Sequence, residues 1–323
     1  MFYLNNKLAM ELLHEELTYV IRGCIFDVQN SLGTGYDEES YHLYLEERLL
    51  DSAIPFESKV VRYIEHRDQK VHKFIADLII DDTLVLELKN IKTAFVPANY
   101  LQIISYLKCW QKDLGLLVNF GLSRIHIERI PFTEKDRLLS EKYAFLKGVL
   151  SNDSEKYISL LRTALVTIIE LFGLGYSASI YSGLLKVELS YLAISYTTHT
   201  LIPIVYSELV LRNFKLKSPI IANQIICLVV AGQTDIIADM AKLKTYLKAT
   251  GLPVGVLAHF GKNKLEIIGN PLPFYVDVSF RTNPSSICNI LVPYCAFFSL
   301  CVTCIIVIPS LCNSLNKFII ISP

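Results

Sequence analysis

The stretch Phe74-Ile75-Ala76-Asp77-Leu78-Ile79-Ile80-Asp81-Asp82-Thr83-Leu84-Val85-Leu86-Glu87-Leu88-Lys89 sets three polar groups, Asp77, Glu87 and Lys89, among two apolar runs. Leu84 to Lys89 alternates as a strand does, and Asp81-Asp82-Thr83 has the chemistry of the turn before it, so the stretch predicts a β-hairpin. Side chains two apart on a strand share a face. Glu87 and Lys89 therefore point the same way, with Asp77 of the neighbouring strand close to both. Two acids and a lysine buried in a sheet are costly unless they pair or bind a metal. A hard divalent cation held by carboxylate oxygens, usually Mg²⁺, is their natural partner. The competing reading is a solvated Glu87–Lys89 pair on an edge strand, which would contribute little.

Outward from the hairpin, apolar positions Leu13, Leu17, Val20, Ile21, Cys24, Ile25 and Val28 recur at helical spacing and predict an amphipathic helix over 12–31. The turn at 32–35 ends it. A second helix is expected from about 37 to 51, with Asp37, Glu38 and Glu39 as favourable charges in its first turn. Strands follow over 56–63 and 71–80, with a polar turn at 65–70 flanked by His66 and His72. Pro97 opens a helix whose apolar positions are Leu101, Ile104, Tyr106, Leu107 and Trp110, and two strands finish the segment, giving the order α-α-β-β-β-α-β-β. His42 and Trp110 read as packing residues, and Asp81 and Asp82 as turn residues.

Asp77, nine residues, then Glu87-x-Lys89 resembles the core motif of the PD-(D/E)XK nuclease superfamily, and the element order agrees. More narrowly, Gly35-Tyr36-Asp37-Glu38-Glu39-Ser40-Tyr41 has the G-x-x-E-x-x-Y signature of the GxxExxY family, and 114–121 resembles that family's closing strand. Gln102-Ile103-Ile104-Ser105-Tyr106 is similar to the Q-x-x-x-Y pattern of RecB-type nucleases, with both side chains on one helix face. The resemblance covers about 12–130 and implies a restriction-endonuclease-like α/β core, a central mixed sheet flanked by helices. It further implies that Asp77 and Glu87, with the backbone carbonyl of Leu88, ligate Mg²⁺ or Mn²⁺, and that Glu38 reaches the metal directly or through water. Lys89 would position or deprotonate the attacking water, and Gln102 and Tyr106 would orient the metal shell or a phosphate. Such a site hydrolyses phosphodiesters, since the metal acidifies water and neutralises charge on phosphate oxygens.

The chain then repeats itself. A shift of 140 positions sets Leu32-Gly33-Thr34-Gly35-Tyr36 on Phe172-Gly173-Leu174-Gly175-Tyr176, Tyr41 on Tyr181, Tyr106-Leu107-Lys108 on Tyr246-Leu247-Lys248, and Gly115 to Gly121 on Gly255 to Gly261. The second copy keeps these glycines and aromatics and loses the acids: Ala178 stands for Glu38 and Lys242 for Gln102. With a one-residue adjustment Ser218 stands for Asp77, and Cys227-Leu228-Val229-Val230 replaces Leu86 to Lys89. The expected division is a nuclease-like domain over 1–130, a linker over 131–154 with a short amphipathic helix at 138–150, a degenerate non-catalytic copy over 155–270 that pairs with the first or supports a substrate groove, and an apolar tail over 271–323.

Of the 323 residues, Lys+Arg and Asp+Glu number 31 each, so no basic excess advertises a nucleic-acid surface. The eight cysteines are scattered until the tail, as in an intracellular chain, and the first residues lack a signal peptide's apolar core. A cytoplasmic protein is expected. The tail run 287–311 exceeds the roughly 20 residues of a membrane span, so either a membrane anchor or a non-native extension accounts for it. The function expected is Mg²⁺-dependent hydrolysis of DNA or RNA by the first copy. The alternative is a non-catalytic interaction or scaffold module on the same fold.

Overall fold

Two tight turns shape the first sheet. Arg67 and Asp68, and then Asp81 and Asp82, all have positive φ, the backbone that lets closely spaced strands turn with the sheet's own twist. They connect β1 (Phe56–His66), β2 (Gln69–Ile80) and β3 (Leu84–Lys89), all antiparallel. β3 then pairs in parallel with β4 (Leu114–Asn119) across α3 (Pro97–Trp110), and β5 (His126–Pro131) completes the order β1-β2-β3-β4-β5. In front of the sheet come α1 (Glu15–Leu32) and α2 (Glu38–Asp51), which matches the expected order of elements.

This computed structural model describes residues 13–134, 136–147, 150–206 and 209–271, with short strands at Cys304–Ile306 and Ile319–Ile321. The chain divides into two units, Met1–Leu272 and Pro273–Pro323. In the second, the two short strands pair antiparallel; the rest of the expected span 287–311 lies outside the described residues. Among the described residues no helix is long and apolar enough to cross a membrane.

Within the first unit the architecture recurs. β6 (Leu138–Lys142) precedes α4 (Asn152–Phe172), α5 (Ala178–Tyr191), β7 (Tyr196–Thr197), β8 (Thr200–Tyr206), β9 (Leu209–Leu216), β10 (Ile220–Ile221), β11 (Ile225–Ala231), α6 (Ile236–Thr250), β12 (Val254–Phe260) and β13 (Lys264–Pro271). The turn between the first two helices is the same in both copies. Gly35 and Gly175 sit at φ 114° and 107°, where a side chain would be strained. The Tyr41 and Tyr181 hydroxyls donate to the carbonyls of Gly33 and Gly173 at 3.0 and 2.7 Å, and their rings stack on Phe120 and Phe260.

Two differences from the sequence reading have physical causes. The helix expected at 138–150 is the strand β6 followed by a short 3₁₀ turn, Ala144–Leu146, because the outer edge of β13 takes β6 as a parallel partner. The long β1–β2 hairpin is broken in the second copy. Pro219, lacking an N–H, stands where Leu78 continues β2, so β8 and β9 form a separate two-stranded sheet while β10 and β7 stay in the main one.

Helices α1 and α2 cover one face of the first sheet, packing Ile21, Ile25, Tyr41 and Leu45 on Leu78, Leu84, Leu86 and Leu88. On the other face Val85, Ile103 and Leu107 belong to a core that runs on into α4, α5 and the second sheet. At this junction Lys108 donates to the carbonyls of Phe172 and Leu174, capping the end of α4, and lies 4.4 Å from the Tyr176 ring. Burial pulls the Lys108 ammonium down to about 8. Val71 comes so close to Gly183 that a Cβ there would stand 2.7 Å from its Cγ1. His66 and Arg67, at the tip of the first hairpin, both pair with the buried Glu188 of α5.

Replacing Glu188 with Ala leaves His66 unsatisfied inside the junction. Chemical denaturation of this variant is expected to show a loss of about 2 kcal/mol, the cost of stranding a buried polar partner.

Candidate active site and metal centre

The ladder that pairs Leu78 with Leu86 brings Asp77 and Glu87 to adjacent positions on the face turned towards α3. Both are buried, Asp77 to 8 % and Glu87 to 2 % exposure. Asp77 is held at both oxygens: Oδ2 accepts from the Leu88 backbone N–H and Oδ1 from Lys59 Nζ, each at 2.9 Å. Glu87 Oε1 accepts from Lys89 Nζ at 2.5 Å and from Gln102 Nε2 at 2.6 Å. Its other oxygen, Oε2, is buried without a hydrogen-bond partner.

These surroundings decide the protonation of Glu87. Burial, followed by the nearby charge of Asp77, pushes its carboxyl from 4.5 up to about 8, against the opposing pull of Lys89. Gln102 Nε2 also donates to the Tyr106 hydroxyl at 2.9 Å, so one amide links the α3 tyrosine to the acid. Burial likewise raises Tyr106 far above its ordinary value.

Glu38 approaches from α2 and makes its hydrogen bond to the end of β3. Its Oε2 accepts from the backbone N–H of Asn90 at 3.1 Å, and the Asn90 side chain donates to the Tyr36 carbonyl at 2.6 Å. Glu38 thus ties the start of α2 to the end of β3. Among the described residues no three Asp, Glu, His or Cys side chains form a group able to hold a metal. The pair Asp77 and Glu87 nevertheless fits a divalent cation by chemistry: hard carboxylate oxygens, one of them an unpartnered buried atom, in a pocket that disfavours a bare negative charge.

The structure adds groups that the motif spacing did not reveal. Lys59 of β1 and Glu39 of α2 join the acidic cluster, with Lys59 Nζ 3.7 Å from Glu39 Oε2. Asn119, fully buried, uses its whole amide on the segments that follow β3 and β4: Oδ1 accepts from Ile91 and Gly121 N–H groups, and Nδ2 donates to the carbonyls of Ile91 and Thr93. Its place in the repeat, filled by His259, was the available signal. Beside Gln102 and Tyr106 opens a cleft of about 290 Å³, lined also by His72 and Phe74 and, from the second copy, by Ser177 and Ile180.

In the second copy the same register places Leu228 and Val230 on the counterparts of Glu87 and Lys89, and Ser218 opposite. Leu228 and Val230 are buried under α6 with Leu243 and Leu247, so the strand that carries the acids in one copy carries core in the other.

A family model described as the PD-(D/E)XK nuclease superfamily matches residues 15–130 and again 155–268. No curated protein matches the chain. A solved structure titled "Crystal structure of SSO0001" aligns at 18% identity over 37% of this chain and 78% of that one, with a TM-score of 0.25.

Because the fold favours the neutral form of Glu87, the stability tied to it is complete below pH 4.5 and is lost as pH rises through about 8. In chelator, the melting temperature of the wild type is expected to fall across that range relative to Glu87→Gln. Added Mn²⁺ restores it in the wild type and not in the variant.

Proposed function

We propose, for a chain that belongs to the PD-(D/E)XK nuclease superfamily over both of its copies, that the first copy hydrolyses phosphodiester bonds of DNA or RNA with Mg²⁺ or Mn²⁺. The observation that carries this reading is the buried Asp77–Glu87 pair, with its raised Glu87 carboxyl and unpartnered Oε2, in the copy that also holds Lys89. Asp77 and Glu87, with the Leu88 carbonyl, would hold the cation. A divalent ion there supplies an acidified water and offsets charge growing on phosphate oxygens. Lys89, fixed against Glu87, brings a positive charge to the developing phosphorane. Gln102 and Tyr106 hold the Glu87 carboxylate in one orientation, and Glu38 joins the site through the end of β3.

The narrower assignment to the GxxExxY family belongs to the same proposal, as do the division into a catalytic domain over 1–130 and a non-catalytic one over 155–270 and an action in the cytoplasm, at the membrane if 287–311 anchors the chain. Charge supports a nucleic-acid partner better than the neutral total implies. Residues 15–130 carry 18 acidic and 13 basic side chains, whereas 155–268 carry 7 and 11, so the basic excess sits on the copy that lacks counterparts of Asp77 and Glu87, where a phosphate chain would meet it. A second reading, a non-catalytic interaction module, draws on the hydrogen bond that ties Glu38 to the Asn90 backbone and on the Lys59–Asp77 pair.

A nuclease assay on single- and double-stranded DNA and RNA with Mg²⁺ or Mn²⁺ separates the two. Asp77→Asn and Lys89→Ala are each expected to lower the rate roughly 100-fold or more; a rate that survives both, or no cleavage and no metal binding, leaves the interaction module. Ser177→Phe, which narrows the cleft from the second copy's side, is expected to raise KM for nucleic acid and leave kcat little changed.

A further inference from the structure

Lys59 is the only lysine on β1, and it occupies an unusual place in the strand. The register of β1 on β2 runs Ser58 with Leu78 and Val60 with Ala76, which leaves Lys59 opposite Asp77 and outside the ladder. Its φ is +49°, a left-handed backbone that a lysine adopts inside a strand only when its surroundings hold it there. Its Nζ lies 2.9 Å from Asp77 Oδ1 and 3.7 Å from Glu39 Oε2. Asp77 is therefore neutralised by a cation supplied by the chain itself. Lys89 does the same for Glu87, but it stands on the strand that carries the acid and is largely buried, whereas the Lys59 side chain is 42 % exposed.

We propose that Lys59 is a resident cation exchanged for the metal: its ammonium neutralises Asp77 until a divalent ion binds there, and is then displaced to meet a phosphate of the nucleic-acid strand. The inference rests on the metal-dependent reading of the site. Two cations cannot share Asp77 Oδ1 without strong repulsion, so a metal on that oxygen expels Nζ. A four-carbon stem with one end on a partly exposed strand can swing the charge outward without disturbing the sheet. The exchange lowers metal affinity, because each metal bound must break the Lys59 ion pair, and it adds a phosphate contact only after the metal is in place. A substrate strand would accordingly bind more tightly to the metal-loaded protein through this one residue.

The test uses the full chain with Lys59→Asn, since asparagine tolerates positive φ and keeps the backbone at ease, and Lys59→Gly as a second neutral replacement. Mn²⁺ alone is titrated by calorimetry, and a short single strand is titrated with Ca²⁺ present. Both variants are expected to bind Mn²⁺ several-fold more tightly than the wild type and to bind the strand several-fold less tightly in Ca²⁺. If the wild type binds Mn²⁺ and the variants bind it equally or more weakly, the exchange is overturned and the nuclease reading stands. Tighter Mn²⁺ binding with unchanged strand binding overturns the phosphate contact. If no protein binds Mn²⁺, the metal reading falls and this inference with it.

Discussion

A carboxyl group buried beside another carboxylate in the middle of a sheet is the constraint around which the first copy is arranged. Removing Glu87 and Asp77 from water is costly in proportion to how little compensates them. Each compensation comes from a different element: the Leu88 N–H and Lys89 from β3, Lys59 from β1, and Gln102 from α3. What remains uncompensated is Glu87 Oε2 and a carboxyl that holds its proton up to about pH 8. A divalent cation would remove both at once, because it would bind the free oxygen and favour the ionised acid.

The second copy shows the same backbone with that constraint lifted. Leu228 and Val230 fill the face that Glu87 and Lys89 occupy, and α6 closes over them as ordinary core. Its helix turn, stacked tyrosine and parallel strand pair are unchanged, so the acids are not needed for the fold to form. The break at Pro219 that separates β8 and β9 falls beside Ser218, and in the first copy the corresponding residues keep β2 continuous so that Asp77 can meet both Lys59 and Leu88.

Most of this was legible in the sequence because it is local. Alternation in Leu84 to Lys89, the aspartates of the turn and the helical spacing of α1 and α3 each follow from neighbours a few residues apart, and the one-residue adjustment that set Ser218 against Asp77 reappears in the strand registers. The repeat itself did the work of an alignment. What escaped depends on partners distant in the chain. Lys59 looked like one more polar position in an alternating strand, and only the pairing of β1 on β2 sets it opposite Asp77. The stretch from 138 has apolar residues that suit a helix, but the open edge of β13 offers hydrogen bonds that a helix cannot use. Glu38 was expected to reach the metal directly or through water, and its hydrogen bond to the Asn90 N–H after β3 is a partner that its motif does not announce.

The way the copies meet explains why one of them lost its acids. Helix α3 of the first copy, the helix that carries Gln102 and Tyr106, also abuts the second copy where a site would open: Ile104 and Leu101 crowd Gly175 and Gly232, and Ser105 and Lys108 donate to carbonyls of the turn before α5. Tyr176 in that turn is buried to 6 %, whereas its counterpart Tyr36 is 52 % exposed. The contact is thus head to tail, covering the second copy's turn and leaving the first copy's turn, with Glu38 behind it, open to solvent. An acid pair retained under that cover would pay the cost of burial with no access for a cation or a phosphate. Replacing it with leucine and valine removes the cost and adds apolar packing, so docking of α3 is sufficient reason for the acid pair to stand in one copy alone.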